Sequence, residues 1–226
     1  MRRALLLTAL GCCLAGCGGN SGGVGALTTQ EAQVRQGWEK TYNVIGFFTP
    51  NGGAATVCNG TLTDKCTNRT GTQITSTRTL QLTVNGTTNT YLTTLVSNQA
   101  ADGSITLLNV TVGANPTLTV QSTTFTVPGT WSTTTTATGT TTFTDSSVAT
   151  ESLVVSGSTQ IQTQVGAIDA WTTAYQHTYQ GNLDMNLTEY YVPGIAGYAY
   201  ATGTLVLSDG TFTGTFDLQQ TNAPLP

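Results

Sequence analysis

The feature that most constrains this chain is a two-residue alternation that recurs along most of its length. Phe212, Gly214, Phe216 and Leu218 alternate with Thr211, Thr213, Thr215 and Asp217. That period places one set of side chains on one face of an extended strand and the other set on the opposite face. The polar partner is usually threonine. Its β-branched side chain is restricted in a helix and fits a pleated surface. Only 8% of the residues are charged, against about 25% in ordinary soluble domains. Threonine, serine, asparagine and glutamine do the solvating instead.

Turn residues separate the alternating runs. Asp209-Gly210 follows one run, and Asn85-Gly86 lies between the runs 80–84 and 91–95. Such dipeptides between alternating segments are strong hairpin signals. Ser156-Gly157-Ser158 reads as a further turn, as do Asp102-Gly103 and Pro128-Gly129. Roughly ten strands at this spacing predict an all-β fold. Hairpin after hairpin favours an antiparallel meander, closed into a barrel-like or sandwich domain. One segment carries a different pattern. Thr28-Thr29-Gln30-Glu31 has capping-box spacing, and Val34, Trp38, Tyr42 and Ile45 follow at helical intervals. This predicts one short N-terminal helix, with a strand already begun by Tyr42 to Phe48.

The first residues form a separate unit. Arg2 and Arg3 precede a short apolar stretch from Ala4 to Leu10, and Leu14-Ala15-Gly16-Cys17 comes next. A basic start, a short apolar core and small residues before a cut describe a secretory signal peptide. The stretch is too short to cross a bilayer. Leu-Ala-Gly-Cys resembles the lipobox of bacterial lipoproteins. The resemblance covers residues 1–17 only. It implies lipidation of Cys17, cleavage before it and attachment to a membrane. Gly18 stands where an aspartate would favour inner-membrane retention, so the resemblance implies the outer membrane in a host that has two. The expected organisation is a signal peptide over 1–16, a Gly-rich tether over 17–26 with a mean reach of about 15–20 Å, and one β domain with its N-terminal helix over 27–226.

Export sets the redox compartment. Cys58 and Cys66 are the cysteines left after Cys17, and the stretch between them is rich in turn residues. In an oxidising compartment this predicts a disulfide closing a loop of about nine residues, worth about 2.5 kcal/mol in the chain-entropy model. Their spacing, with no histidine nearby, matches neither a Cys-x-x-Cys motif nor a zinc site.

Without Arg2 and Arg3 the formal charge falls from −4 to −6. The remaining basic residues do not cluster, which argues against a nucleic-acid partner. His177 is the only histidine. It is expected to do packing rather than catalysis. Asp184 and Glu189 are the nearest carboxylate pair, and the alternation of Asp184 with Leu183 and Met185 predicts that it faces solvent. Trp171, Tyr175, Tyr190, Tyr191, Tyr198 and Tyr200 make the last third aromatic-rich and form a candidate binding surface. The near-continuous threonine run over 133–142 lacks the strict repeat of an ice-binding ladder. No motif for a metal or cofactor stands out. These readings favour a non-enzymatic, membrane-anchored binding or structural domain, whose partner would be a glycan, an envelope protein or an apolar ligand. A barrel that carries a lipid or other small apolar ligand in its interior is the alternative, and an envelope hydrolase is the third and least favoured reading.

Overall fold

The fold is described from a computed structural model, which covers residues 29–163, 166–195 and 197–218. Cys17 and the segments expected to be a signal peptide and a tether lie outside the described residues.

The strands run in chain order: β1 (Thr29–Gln30), β2 (Glu39–Pro50), β3 (Thr56–Thr70), β4 (Gln73–Val84), β5 (Thr87–Gln99), β6 (Ile105–Val112), β7 (Leu118–Thr123), β8 (Thr130–Trp131), β9 (Thr136–Phe143), β10 (Val148–Thr163), β11 (Gly166–Tyr179), β12 (Asn182–Val192), β13 (Gly197–Leu207) and β14 (Gly210–Leu218). Twelve of them close into an antiparallel barrel. Each barrel strand pairs with its neighbours in sequence, and β14 pairs back onto β2 from Gly210↔Pro50 to Leu218↔Tyr42. β1 and β8 form a separate two-stranded ribbon. The expected antiparallel meander is present, and closure satisfies the strand edges that an open sheet would expose.

Alternation explains the wall. On β4, Ile74, Ser76, Arg78, Leu80 and Leu82 point inward, and on β2 Lys40, Tyr42, Val44 and Phe48 do the same. Threonines hold most of the intervening outward positions. Adjacent outward threonines also bond across strands, as Thr83 does with Thr88 at 2.8 Å. Asn85-Gly86 turns as expected, with φ of 50° and 79°. Gln180-Gly181, with φ of 51° and 77°, is a second turn of this kind.

Three expectations fail. The N-terminal helix is absent: residues 31–38 cross one end of the barrel as irregular chain, and β2 begins at Glu39. Gly37 sits at φ 84° in a turn that breaks the helical run. The apolar spacing from Val34 to Ile45 is resolved differently on each side of that turn. Val34 packs into the core, Tyr42 points into the barrel, and Ile45 is exposed. Among the described residues, the helical element is a 3₁₀ turn over Pro193–Ile195.

The disulfide is also absent. Cys58 and Cys66 are free, buried thiols on the same strand, β3. Eight residues of extended chain separate them by about 26 Å at ~3.3 Å per residue, whereas a disulfide requires Cα atoms within about 7 Å. The turn residues between them are strand residues. Burial pushes both thiols above their ordinary pKa. Finally, Ser156-Gly157-Ser158 is not a turn. β10 runs through it, with a register shift between Val155 and Gly157 against β11, so the extra residue is absorbed as a bulge.

The two barrel ends differ. Residues 31–38 and the turns at 71–72 and 100–104 lie at one, here called proximal. The turns at 51–55, 85–86, 180–181 and 208–209 lie at the other, called distal.

Candidate functional site

Charge is concentrated where a β domain usually excludes it. Glu31, Asp64, Glu151, Asp184 and Glu189 are buried, together with Lys40, Arg78 and His177. They form three groups along the barrel.

At the proximal end the chain is stitched into the wall. Trp131 Nε1 and Tyr191 Oη donate to the two oxygens of Glu31 at 2.7 and 2.6 Å. The two rings stack with centroids 4.2 Å apart. Gln99 accepts from the Val34 amide at 2.9 Å and donates to the carbonyl of Ala32 at 2.8 Å. Arg69 donates to the Val34 carbonyl and, at 3.0 Å, to Gln33 Oε1. Burial raises the Glu31 pKa well above the carboxylate range, opposed by hydrogen bonds from Tyr191 and Trp131 and by Lys40.

In the middle, Arg78 donates to both oxygens of Asp64, its cross-strand neighbour; Nη2 reaches Oδ2 at 2.7 Å. Thr173 Oγ1 donates to Glu189 Oε2 at 3.2 Å. Burial pushes Glu189 up to about 7, against the pull of Thr173, Arg78 and Lys40. Space is tight here. A Cβ on Gly197 would sit 2.0 Å from Lys40 Nζ and 3.3 Å from Tyr42 Oη, so a larger residue there would displace the end of the lysine side chain.

Toward the distal end, His177 Nδ1 is hydrogen-bonded to Asp184 Oδ1. Glu151 is the direct cross-strand partner of His177 and accepts from Tyr175 Oη at 2.9 Å. Burial raises the pKa values of Glu151 and Asp184, and His177 pulls both back. His177 Nε2 and Asp184 Oδ2 are buried with no hydrogen-bond partner. An Asp–His pair with a free Nε2 is half of a nucleophile-activating arrangement. Among the described residues, a nucleophile is not within reach of that nitrogen, and His177 is only 1% exposed. Nor, among the same residues, is any group of three or more His, Cys, Asp or Glu placed to hold a metal ion.

The solvent-facing position expected for Asp184 is overturned. His177 pairs with Met185 and Thr178 with Leu183, which leaves Asp184 as the extra residue of a bulge. The bulge turns both Asp184 and Met185 inward while Leu183 stays 51% exposed. Strict alternation cannot anticipate that.

The aromatic surface is mostly core. Trp171, Tyr175, Tyr191 and Tyr198 are buried. Tyr198 lies 4.6 Å from Tyr42 and 6.4 Å from Phe216, centroid to centroid. Only Tyr190 and Tyr200 remain on the outer wall. They are cross-strand partners with centroids 5.6 Å apart and are partly exposed.

The interior around Tyr198 is filled. The void between Leu62, Leu80, Met185, Leu187, Leu205 and Phe216 measures about 10 Å³, roughly the room of one water. A carrier site for a small molecule needs about 300 Å³ or more, which this part of the barrel does not offer.

Four of the buried charges have a readable signal. Lys40 is in phase with Tyr42 and Val44, Asp64 with Leu62 and Cys66, Arg78 with Leu80 and Leu82, and Glu151 with Leu153 and Val155. No family model matches the chain, and no curated protein or solved structure matches it either.

Proposed function

We propose that this chain is a lipoprotein of the cell envelope, held at the outer membrane where the host has two, and that its barrel is a non-enzymatic binding or structural domain. The lipobox-like Leu14-Ala15-Gly16-Cys17 motivates the anchor. The observation that carries the rest is the stitching of residues 31–34 into the proximal end. The described chain enters the domain there, and Glu31, Gln99 and Arg69 tie it to β12, β5 and β3 of the wall and to β8 of the ribbon. An anchor at Cys17 would pull on this segment, and its buried bonds would pass the load to the whole barrel. The filled interior around Tyr198 favours a body that presents its outer surface over a container at that place. The sealed His177–Asp184 pair supports a packing role over a catalytic one. A glycan or an envelope protein fits such a surface.

Cys17→Ser tests the anchor. The variant should lose lipid labelling and leave unprocessed or soluble protein, while the barrel folds normally. Unchanged processing and membrane fractionation would overturn the lipoprotein reading.

A further inference from the structure

On the outer wall formed by β14, β2 and β3, three large apolar side chains stand together. Ile45 is 61% exposed, Phe47 53% and Val57 68%. Phe47 and Val57 are direct cross-strand partners, and Ile45 is the next outward residue on β2. Their outward neighbours are neutral: Thr213 and Thr215 on β14, Thr49 on β2, and Asn59 on β3. The charges on this wall lie toward the proximal end, at Asp217 and the Glu39–Lys65 ion pair. At the distal rim, Asp209 accepts hydrogen bonds from Tyr91 at 2.7 and 2.8 Å. The other exposed large apolar residues, Leu92, Val154 and Leu183, are on three different strands.

Clustered exposed apolar residues call for an apolar partner. The chain between Cys17 and Thr29 limits where the barrel can lie. Its 11 residues, 12 steps from Cys17 to Thr29, span at most about 40 Å when extended. Phe47 is eight residues along β2 from Glu39, about 26 Å at ~3.3 Å per residue. The tether is therefore long enough for the barrel to recline on its flank. The neutral rim matters because the whole chain is negatively charged and would be repelled by anionic headgroups through any acidic face. This wall offers apolar contact with no carboxylate inside the patch.

We propose that the β14–β2–β3 wall rests against the bilayer that holds the lipid on Cys17, with Ile45, Phe47 and Val57 in the headgroup–acyl boundary. This rests on the lipoprotein reading and adds the orientation and the lipid surface as partner. The arrangement is that of a monotopic contact, in which apolar groups sink about 5–10 Å and supplement a lipid anchor.

The test uses the full lipidated chain in vesicles of phosphatidylethanolamine and phosphatidylglycerol, with and without brominated phosphatidylcholine. Phe47→Trp places a reporter in the patch. Thr150→Trp places one on the exposed face of β10, across the barrel and likewise near the distal end. The unsubstituted chain supplies the background of the native tryptophans. The Phe47→Trp reporter should lose at least about twofold in emission, since insertion to that depth reaches the bromines, while the Thr150→Trp reporter keeps its emission. Val57→Trp repeats the measurement if Phe47→Trp misfolds. Equal quenching of the two reporters, or none, with the chain still floating with the vesicles, would overturn the side-on contact alone. Failure of the unsubstituted chain to float would overturn the anchor and this contact together.

Discussion

At the proximal end of the barrel Glu31 receives a hydrogen bond on each oxygen, from Trp131 and from Tyr191. At the distal end His177 and Asp184 hold each other and leave Nε2 and Oδ2 without partners. Both are buried polar groups in one closed barrel, yet one arrangement is complete and the other has spare capacity. A buried polar group contributes when its partners are met and penalises the fold by about 1–3 kcal/mol when they are not. The difference marks the proximal end as the part whose bonds the fold depends on most. The distal pair should tolerate change better, because part of its hydrogen-bonding capacity is already unmet.

The sharpest way to break the comparison is to remove Glu31. Glu31→Ala would leave the Trp131 Nε1 and the Tyr191 hydroxyl without this acceptor in a buried site. Two such groups predict a loss of about 3 kcal/mol, which lowers the melting temperature by about 6–12 °C for a domain of this size. Limited proteolysis should then cut within residues 31–38 before the barrel. A loss below about 1 kcal/mol would show that the segment is only loosely held.

A pH series separates the buried acids from the surface. The folded-state pKa of Glu189 is raised to about 7 from 4.5, and those of Glu31, Glu151 and Asp184 are also raised. A carboxyl whose folded pKa lies above its unfolded value binds its proton more tightly when folded. Its stabilising contribution is full below the unfolded pKa and is lost as pH rises through the folded one. Stability should therefore rise as pH falls from about 7.5 to about 5, with Glu189 contributing at most about 3 kcal/mol. Thermal unfolding at successive pH values measures the slope, and Glu189→Gln should flatten it near pH 7. A melting temperature that falls steadily over the same range would contradict the burial of these acids.

The phase of the strands was legible because a period of two leaves each residue one of two faces. Lys40, Asp64, Arg78 and Glu151 could all have been placed inside on that ground, since each shares its phase with apolar neighbours on both sides or on one. Three other features were not legible, each for a physical reason. The bulge at Asp184 adds a residue to β12 with no local mark, and one added residue reverses the face of every later position on the strand. The helix reading failed because Val34, Trp38, Tyr42 and Ile45 satisfy a helical spacing, while Tyr42 also belongs to a strand alternation. Long-range pairing decided between the two: β2 is held by β14 on one side and β3 on the other. The free thiols were misread because a stretch of Asn, Gly, Thr and Asp looks like a turn until the partner strands are known.

The smallest effect is expected at the distal pair. His177→Gln keeps a side chain of similar length that donates to Asp184 Oδ1, and it removes the ring nitrogen that has no partner. It also removes the imidazole beside Glu151, whose contact to Tyr175 is untouched. Losing an unsatisfied buried atom offsets part of the loss of the imidazole, so the net change should stay within about 1 kcal/mol. That corresponds to about 2–4 °C in melting temperature, well below the loss expected for Glu31→Ala. Thermal unfolding of the two variants side by side gives the ratio. A loss at His177 equal to that at Glu31 would mean that the distal pair is as tightly integrated as the proximal stitching. Normal stability with loss of the wild-type phenotype would instead mean that the histidine acts on a ligand, and the non-enzymatic reading would then have to yield at this position.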